Sequence, residues 1–313
     1  MPLRIAQRSK SKLRLGVSGP AGAGKTLGSL LVAYGICPDW SKICVIDTEN
    51  NSADLYADYN QNGIQIGRFM VNPIQAPYSP EKYTNAIKEC EAAGMEVIII
   101  DSLTHAWQGE GGLLDKKGLI EKKAGYNSWT AWREVTPEHN RLVEAILQSK
   151  CHMICTIRAK MDYVQEKDPD TGKSVIKKVG LQPIQRDGME YEFTVFIDVD
   201  QNHQATSSKD RTSIVDGRVF MMNVELGKQF LNWLETGEDP SLIQPITSEQ
   251  INEIYELSGK NAAICKEVLS GFGYSNSKEV LQKDFKAICK KVKSQGKKTQ
   301  KQAGDNNAEQ ETA

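Results

Sequence analysis

GPAGAGKT, residues Gly19 to Thr26, stands between an apolar run at Leu13 to Val17 and a helix-forming run that begins at Thr26. Its spacing is that of a phosphate-binding loop, and each fixed place has a physical reason. Gly19, Gly22 and Gly24 admit backbone conformations closed to residues with a Cβ, so successive N–H groups can turn inward around an anion. The helix that follows adds the positive end of its dipole to the same point. Lys25 is placed to reach the β- and γ-phosphates of a nucleotide, and the Thr26 hydroxyl to take one position on Mg²⁺. The nucleotide-binding stretch is therefore read as Gly19, Pro20, Ala21, Gly22, Ala23, Gly24, Lys25, Thr26 and Leu27.

Two further strands carry acids to the same edge. Lys42 to Ile46 reads as a strand ending in Asp47-Thr48-Glu49. Ligands of open α/β sheets bind at the carboxyl ends of the strands, so Glu49 is a candidate general base for an attacking water, with a helix-capping acid as the alternative. Val97 to Ile100 is wholly apolar, as a central parallel strand covered on both faces should be, and it ends in Asp101-Ser102. Four apolar residues and then an acid make the Walker B pattern, which assigns Asp101 to the metal through water while Thr26 binds it directly.

Around this framework the chain of 313 residues divides into a basic leader (1–12), an α/β core (13–236), a linker (237–246), a small helical domain (247–293) and a polar tail (294–313) expected to be disordered. Thr136 is expected to cap a helix to Ser149, and Cys151 to Ile157 to form a strand. Met161 to Gln165 and Ser174 to Val179 are expected to flank a DPDTG turn as a hairpin. Glu192 to Asp200 and 218–224 read as further strands, and 225–235 as a helix. Between Leu103 and Trp132 the glycine-rich sequence reads as irregular. There Trp107, Tyr126, Trp129 and Trp132 lie among lysines, and they either stack single-stranded bases or cover the core.

A formal net charge of −1 excludes a protein that binds nucleic acid through its global field, so any such contact needs a local patch. Seven cysteines without a C-x-x-C pair read as reduced thiols rather than a zinc site or a disulfide frame. With no run approaching the ~20 apolar residues of a membrane span, the expectation is a soluble protein of the cytoplasm, with no membrane partner.

The order of parts, the phosphate loop, then VIDTE, VIIIDSLTHAW and MICTIRAK, resembles the RecA-like P-loop ATPase core. Within that group it is similar to the ATPases of bacteriophages and prophages, including single-strand annealing recombinases, through GLQPIQRDGMEYEF and SKDRTSIVDGR. The resemblance covers about residues 13 to 235. It implies an α/β fold with a central, mostly parallel sheet flanked by helices, ATP and Mg²⁺ as cofactors, and Glu49 as the group that activates water. It implies a DNA-binding loop on Arg158, Lys160 and the hairpin with Lys177 and Lys178. It further implies that Lys209 and Arg211, a K-x-R pair, reach into a neighbouring subunit's nucleotide site, which makes the protein a homo-oligomer with ATP at subunit interfaces. Thr156 stands where RecA proteins carry an amide. The resemblance implies single-stranded DNA and a phage replication or recombination protein as partners, in the cytoplasm of a bacterial host cell. A helicase loader acting on a protein client, and a small-molecule kinase, share the same loop.

Overall fold

The computed structural model describes residues 6, 8–61, 63–167, 174–239 and 241–310, with side chains outside 61, 162–179 and 297–310. It falls into two units, one of residues 12–234 and one of residues 1–11 with 235–313.

The larger unit is built on a sheet whose first strand, β1 (Arg14–Gly19), delivers the chain to the phosphate loop. The helix α1 (Lys25–Ile36) leads on to β2 (Ile43–Asp47), a small ribbon of β3 (Asn60–Gln61) with β4 (Ile64–Gln65), and β5 (Met70–Pro73). Then come α2 (Pro80–Ala92), β6 (Val97–Asp101), α3 (Thr104–Gln108), α4 (Leu113–Glu121) and α5 (Ser128–Gln148). The long β7 (His152–Lys167) turns back through β8 (Ser174–Pro183), and β9 (Val195–Val199), β10 (Ala205–Asp210) and α6 (Val224–Leu234) complete the unit. The strand order is β10-β9-β1-β7-β6-β2-β5, with β8 paired to β7 alone. Strands β9, β1, β7, β6, β2 and β5 run parallel, while β10 and β8 are antiparallel additions.

Alternation along each strand fills two cores. In β6, Val97 and Ile99 join the cluster that holds Leu30, Val32 and Phe230 from α1 and α6. Ile98 and Ile100 join the one that holds Tyr83, Ile87, Leu142 and Ile146 from α2 and α5. Helices thus cover both faces, which is why this strand could be apolar at every position.

Several elements depart from the sequence expectation. The helix expected from Thr136 begins at Ser128, because Asn127 and Thr130 form a reciprocal capping box, Asn127 N to Thr130 Oγ1 at 2.8 Å and Thr130 N to Asn127 Oδ1 at 3.0 Å. Pro137 therefore lies inside α5 rather than at its start. The stretch from Leu103 onward that reads as irregular contains α3 and α4, with Gly109 closing the first and Gly112 opening the second, while Gly118 lies inside α4. Residues 218–224 contribute a single bridge, Phe220 to Ala205, in place of a strand.

In the smaller unit, Thr247 and Gln250 form a capping box at α7 (Ser248–Leu257), which packs with α8 (Ala262–Gly271) and α9 (Gln282–Gln310) around Ile254, Val268, Val280, Ile288 and Val292. Helix α9 continues through the stretch expected to be disordered. Lys, Gln and Ala are good helix formers, and low hydropathy reports the want of a core rather than the backbone state. Ser9 of the leader bridges to Glu238 within this unit. Among the described residues no helix is long and apolar enough to cross a membrane.

Candidate functional site

Because β7 is inserted between β1 and β6, the phosphate loop and Asp101 stand one strand apart. The register sets Gly19 beside Arg158, and Asp47 beside Asp101. All of these lie at the carboxyl edge, where Asp101 and Arg158 border a cavity of about 310 Å³ together with Gly22, Gly24, Lys25, Thr26, Glu49, Tyr56 and His203.

The loop needs its glycines for two different reasons. Gly24 holds φ +83° at the entrance to α1, in the left-handed region that favours glycine, whereas a Cβ on Gly19 would come within 2.5 Å of the Val199 carbonyl on β9. Lys25 is buried and its Nζ donates to the Pro20 carbonyl at 2.8 Å. Burial lowers its pKa, against the pull of the nearby Asp101 and Glu49 carboxylates.

Asp101 is almost wholly buried, and two hydroxyls hold it: Thr26 Oγ1 donates to Oδ2 at 2.6 Å and Thr156 Oγ1 to Oδ1 at 2.5 Å. Burial raises its pKa, and the two hydroxyls pull it part of the way back. A buried carboxylate facing a hydroxyl, both hard oxygen donors, is a fitting pair of protein ligands for Mg²⁺, which takes its remaining positions from phosphate and water.

Glu49 lies across the cavity. Arg158 grips it with Nε on Oε1 at 2.9 Å and Nη2 on Oε2, and Ser102 Oγ donates to Oε1 at 3.0 Å. Burial works to raise the Glu49 pKa, yet the Arg158 hydrogen bonds and charge, with Ser102, outweigh it and leave the carboxyl below its ordinary range. Asp47 shapes the turn that presents Glu49, accepting from Glu49 N at 2.5 Å and Ala53 N at 3.1 Å. Thr48 supports it from below, its Oγ1 accepting from Ser102 N at 2.9 Å and lying 2.8 Å from His105 Nδ1.

The structure thus brings together Gly22, Gly24, Lys25, Thr26, Glu49 and Asp101. Arg158, expected on a DNA-binding loop, instead closes on Glu49, because the register of β7 against β1 puts it at the level of Gly19. Lys160, two residues further, is exposed. Lys177 and Lys178 belong to β8, with side chains outside the described residues. Lys209 and Arg211 do not join this cavity: Lys209 pairs with Phe196, its Nζ reaching the Tyr191 carbonyl, and Arg211 N donates to Thr194 O at 3.1 Å, all at the opposite edge of the sheet. Ser102, Thr156, Tyr56 and His203 are members that motif spacing alone does not announce. Only Thr156, two places before Arg158 on the strand next to the loop, had a positional signal.

Among the aromatics after Asp101, Trp107 and Trp132 stack on each other, ring centroids 5.6 Å apart, with Arg186 over Trp132 at 5.9 Å. Both rings are half-buried, and Trp107 also meets His139 edge-on, with centroids 6.0 Å apart. Trp129 is 72% exposed and Tyr126 41%.

A family model described as an AAA domain matches residues 11–223. A search of curated proteins finds no match. The matched stretch takes in the phosphate loop, Glu49, Asp101 and every strand of the large sheet, and the chain belongs to this family of AAA domains, nucleotide-dependent ATPases of the P-loop kind.

Proposed function

We propose that the protein is a Mg²⁺-dependent ATP hydrolase that works on single-stranded DNA in phage-type recombination or replication. The observation that carries the hydrolase reading is the pair Thr26 Oγ1 and Asp101 Oδ2, 2.6 Å apart in a cavity that Lys25 and Glu49 also border. A Mg²⁺ ion held by Thr26 and Asp101 would neutralise charge on the β- and γ-phosphates. Lys25 exchanges the Pro20 carbonyl for phosphate oxygens. Glu49 takes the proton of the water that attacks the γ-phosphorus as the bond to the β-phosphate oxygen breaks. For that step Arg158 must loosen its two-point grip, and the γ-phosphate is the anion that competes for it.

The DNA reading rests on the resemblance to phage ATPases and on exposed Trp129 and Tyr126 beside Lys122 and Lys123, the aromatic-plus-cation composition that single strands use. Lys209 and Arg211, remote from their own chain's cavity, are proposed to serve a neighbour's in a homo-oligomer. Steady-state hydrolysis with and without single-stranded DNA tests the reading. Stimulation of about tenfold or more is expected, on the scale that added catalytic contacts supply. A rate indifferent to DNA but raised by a protein client would shift the assignment to a loader, and one raised by a metabolite to a kinase.

A further inference from the structure

The turn between β9 and β10 is tied down tightly. Asp200 Oδ1 accepts from Asn202 N at 2.8 Å and from Gln204 N at 2.9 Å, while Asp200 N donates to Gln204 O at 2.9 Å. The knot holds His203 at φ +64°, a region that residues with a side chain seldom occupy. What the strained position achieves is contact with the phosphate loop. His203 Nδ1 lies 3.0 Å from the Ala23 carbonyl oxygen, and a Cβ on Gly24 would come within 3.1 Å of the same nitrogen. The absence of a side chain at Gly24 is therefore what admits the imidazole.

The contact also fixes the ring's chemistry. A carbonyl oxygen only accepts, so Nδ1 must carry a hydrogen, and Nε2 is then a lone-pair acceptor in the neutral ring and a second donor once the ring gains a proton. His203 borders the cavity. The charged groups around that cavity are Lys25 on α1, Arg158 on β7, Asp101 on β6 and Glu49 after β2, with Asp200 in the turn itself. The two carboxylates of the cavity are already engaged, Glu49 by Arg158 and Asp101 by Thr26 and Thr156. An entering nucleotide adds several negative charges to this setting, and opposite charge nearby favours the protonated imidazole.

We propose that His203 is a ligand of the nucleotide's phosphate chain that binds as an imidazolium, so that nucleotide uptake carries a proton into the site. The proposal rests on the reading of the cavity as a nucleotide site. By linkage, a ligand that binds with a proton loses affinity as pH rises, by at most tenfold per pH unit.

The test is titration calorimetry of the full chain with Mg²⁺ and a non-hydrolysable ATP analogue between pH 6.5 and 8.5, in buffers of different ionisation heat. The variant is His203→Asn. Asparagine tolerates a left-handed backbone and keeps an N–H near the place of Nδ1, but it has no proton to gain. The wild type should take up a proton and bind less tightly as pH rises. His203→Asn should lack that uptake, show a flatter pH dependence, bind several-fold more weakly at pH 6.5, and converge with the wild type at pH 8.5. Equal proton uptake in both proteins would overturn the proposal. So would weakening by the same factor at every pH, which marks a neutral packing contact, and so would a wild type that takes up no proton. A wild type that binds no nucleotide at any pH would strike the nucleotide-site reading itself, and this proposal with it.

Discussion

Both ends of the central strands bury charge, and they do so in opposite ways. At the amino edge, the Arg14 guanidinium is enclosed by backbone carbonyls, those of Leu13 and Cys151 at 2.8 Å, Leu147 at 3.0 Å, and Ser149. Burial pulls its pKa down to about 10, with the Cys155, Cys151 and Glu91 side chains acting against it. Beside it His152 Nδ1 accepts from Leu13 N at 3.1 Å, and burial, with the charges of Lys12 and Arg14, pulls the imidazole down to about 3. At the carboxyl edge the partners of Asp101 and Glu49 are side chains, Thr26, Thr156, Ser102 and Arg158, which can rotate away. Backbone carbonyls cannot release Arg14 without undoing the end of α5 and the start of β7. Perturbed charge alone therefore does not mark a functional site in this protein. What distinguishes the two edges is whether the partners can be exchanged for a ligand.

Removing one charge from each edge should have opposite consequences. Lys25→Ala should lose turnover by about 10³ or more, since charge compensation at the transferring phosphoryl group is lost, while its folding stability stays near wild type. Arg211→Ala should be inactive alone for the separate reason given above, and mixing the two variants should restore part of the activity through interfaces that unite an intact loop with an intact arginine. Mixed oligomers that remain inactive would reject the trans role. Arg14→Met should show the reverse pattern. It leaves carbonyls at the end of α5 without their donor, so a loss of about 3 kcal/mol in urea unfolding is expected, with turnover per folded molecule kept.

A smaller effect separates the edges by pH. His152 binds its proton more weakly folded than unfolded, so its contribution to stability is whole above the ordinary imidazole value of about 6.5 and is lost as pH falls from there toward about 3. His152→Asn keeps an acceptor for Leu13 N but does not titrate. Between pH 7.5 and 5.5 the wild type should lose about 1.4 kcal/mol more than this variant, measured by unfolding midpoints. Equal losses would mean that His152 is not the buried neutral group described.

How far the sequence could be read follows the same division. The loop and the acid ending β6 were legible because their chemistry is local: glycines at fixed places, a lysine and a threonine next in line, and an aspartate after four apolar residues. Glu49 was legible from its place at a strand end. The Arg158 contact with Glu49 depends on β7 lying between β1 and β6 in a particular register, which no local pattern encodes. His203 reaches the loop from a turn some 180 residues away in the chain. The early start of α5 was hidden for a different reason. Pro137 after Thr136 imitates a helix start, and the true one is the Asn127 and Thr130 box, whose Thr in the third helical place is an uncommon partner.

If the carboxyl-edge cavity hydrolyses ATP with Glu49 as base, Glu49→Gln should separate binding from turnover. The amide keeps the shape and can still hydrogen-bond Arg158 and Ser102, but it cannot take a proton from water. Measured side by side, Mg²⁺-ATP affinity should stay within about threefold of wild type while single-turnover hydrolysis falls by at least about 100-fold. Hydrolysis at the wild-type rate in that variant would contradict the assignment.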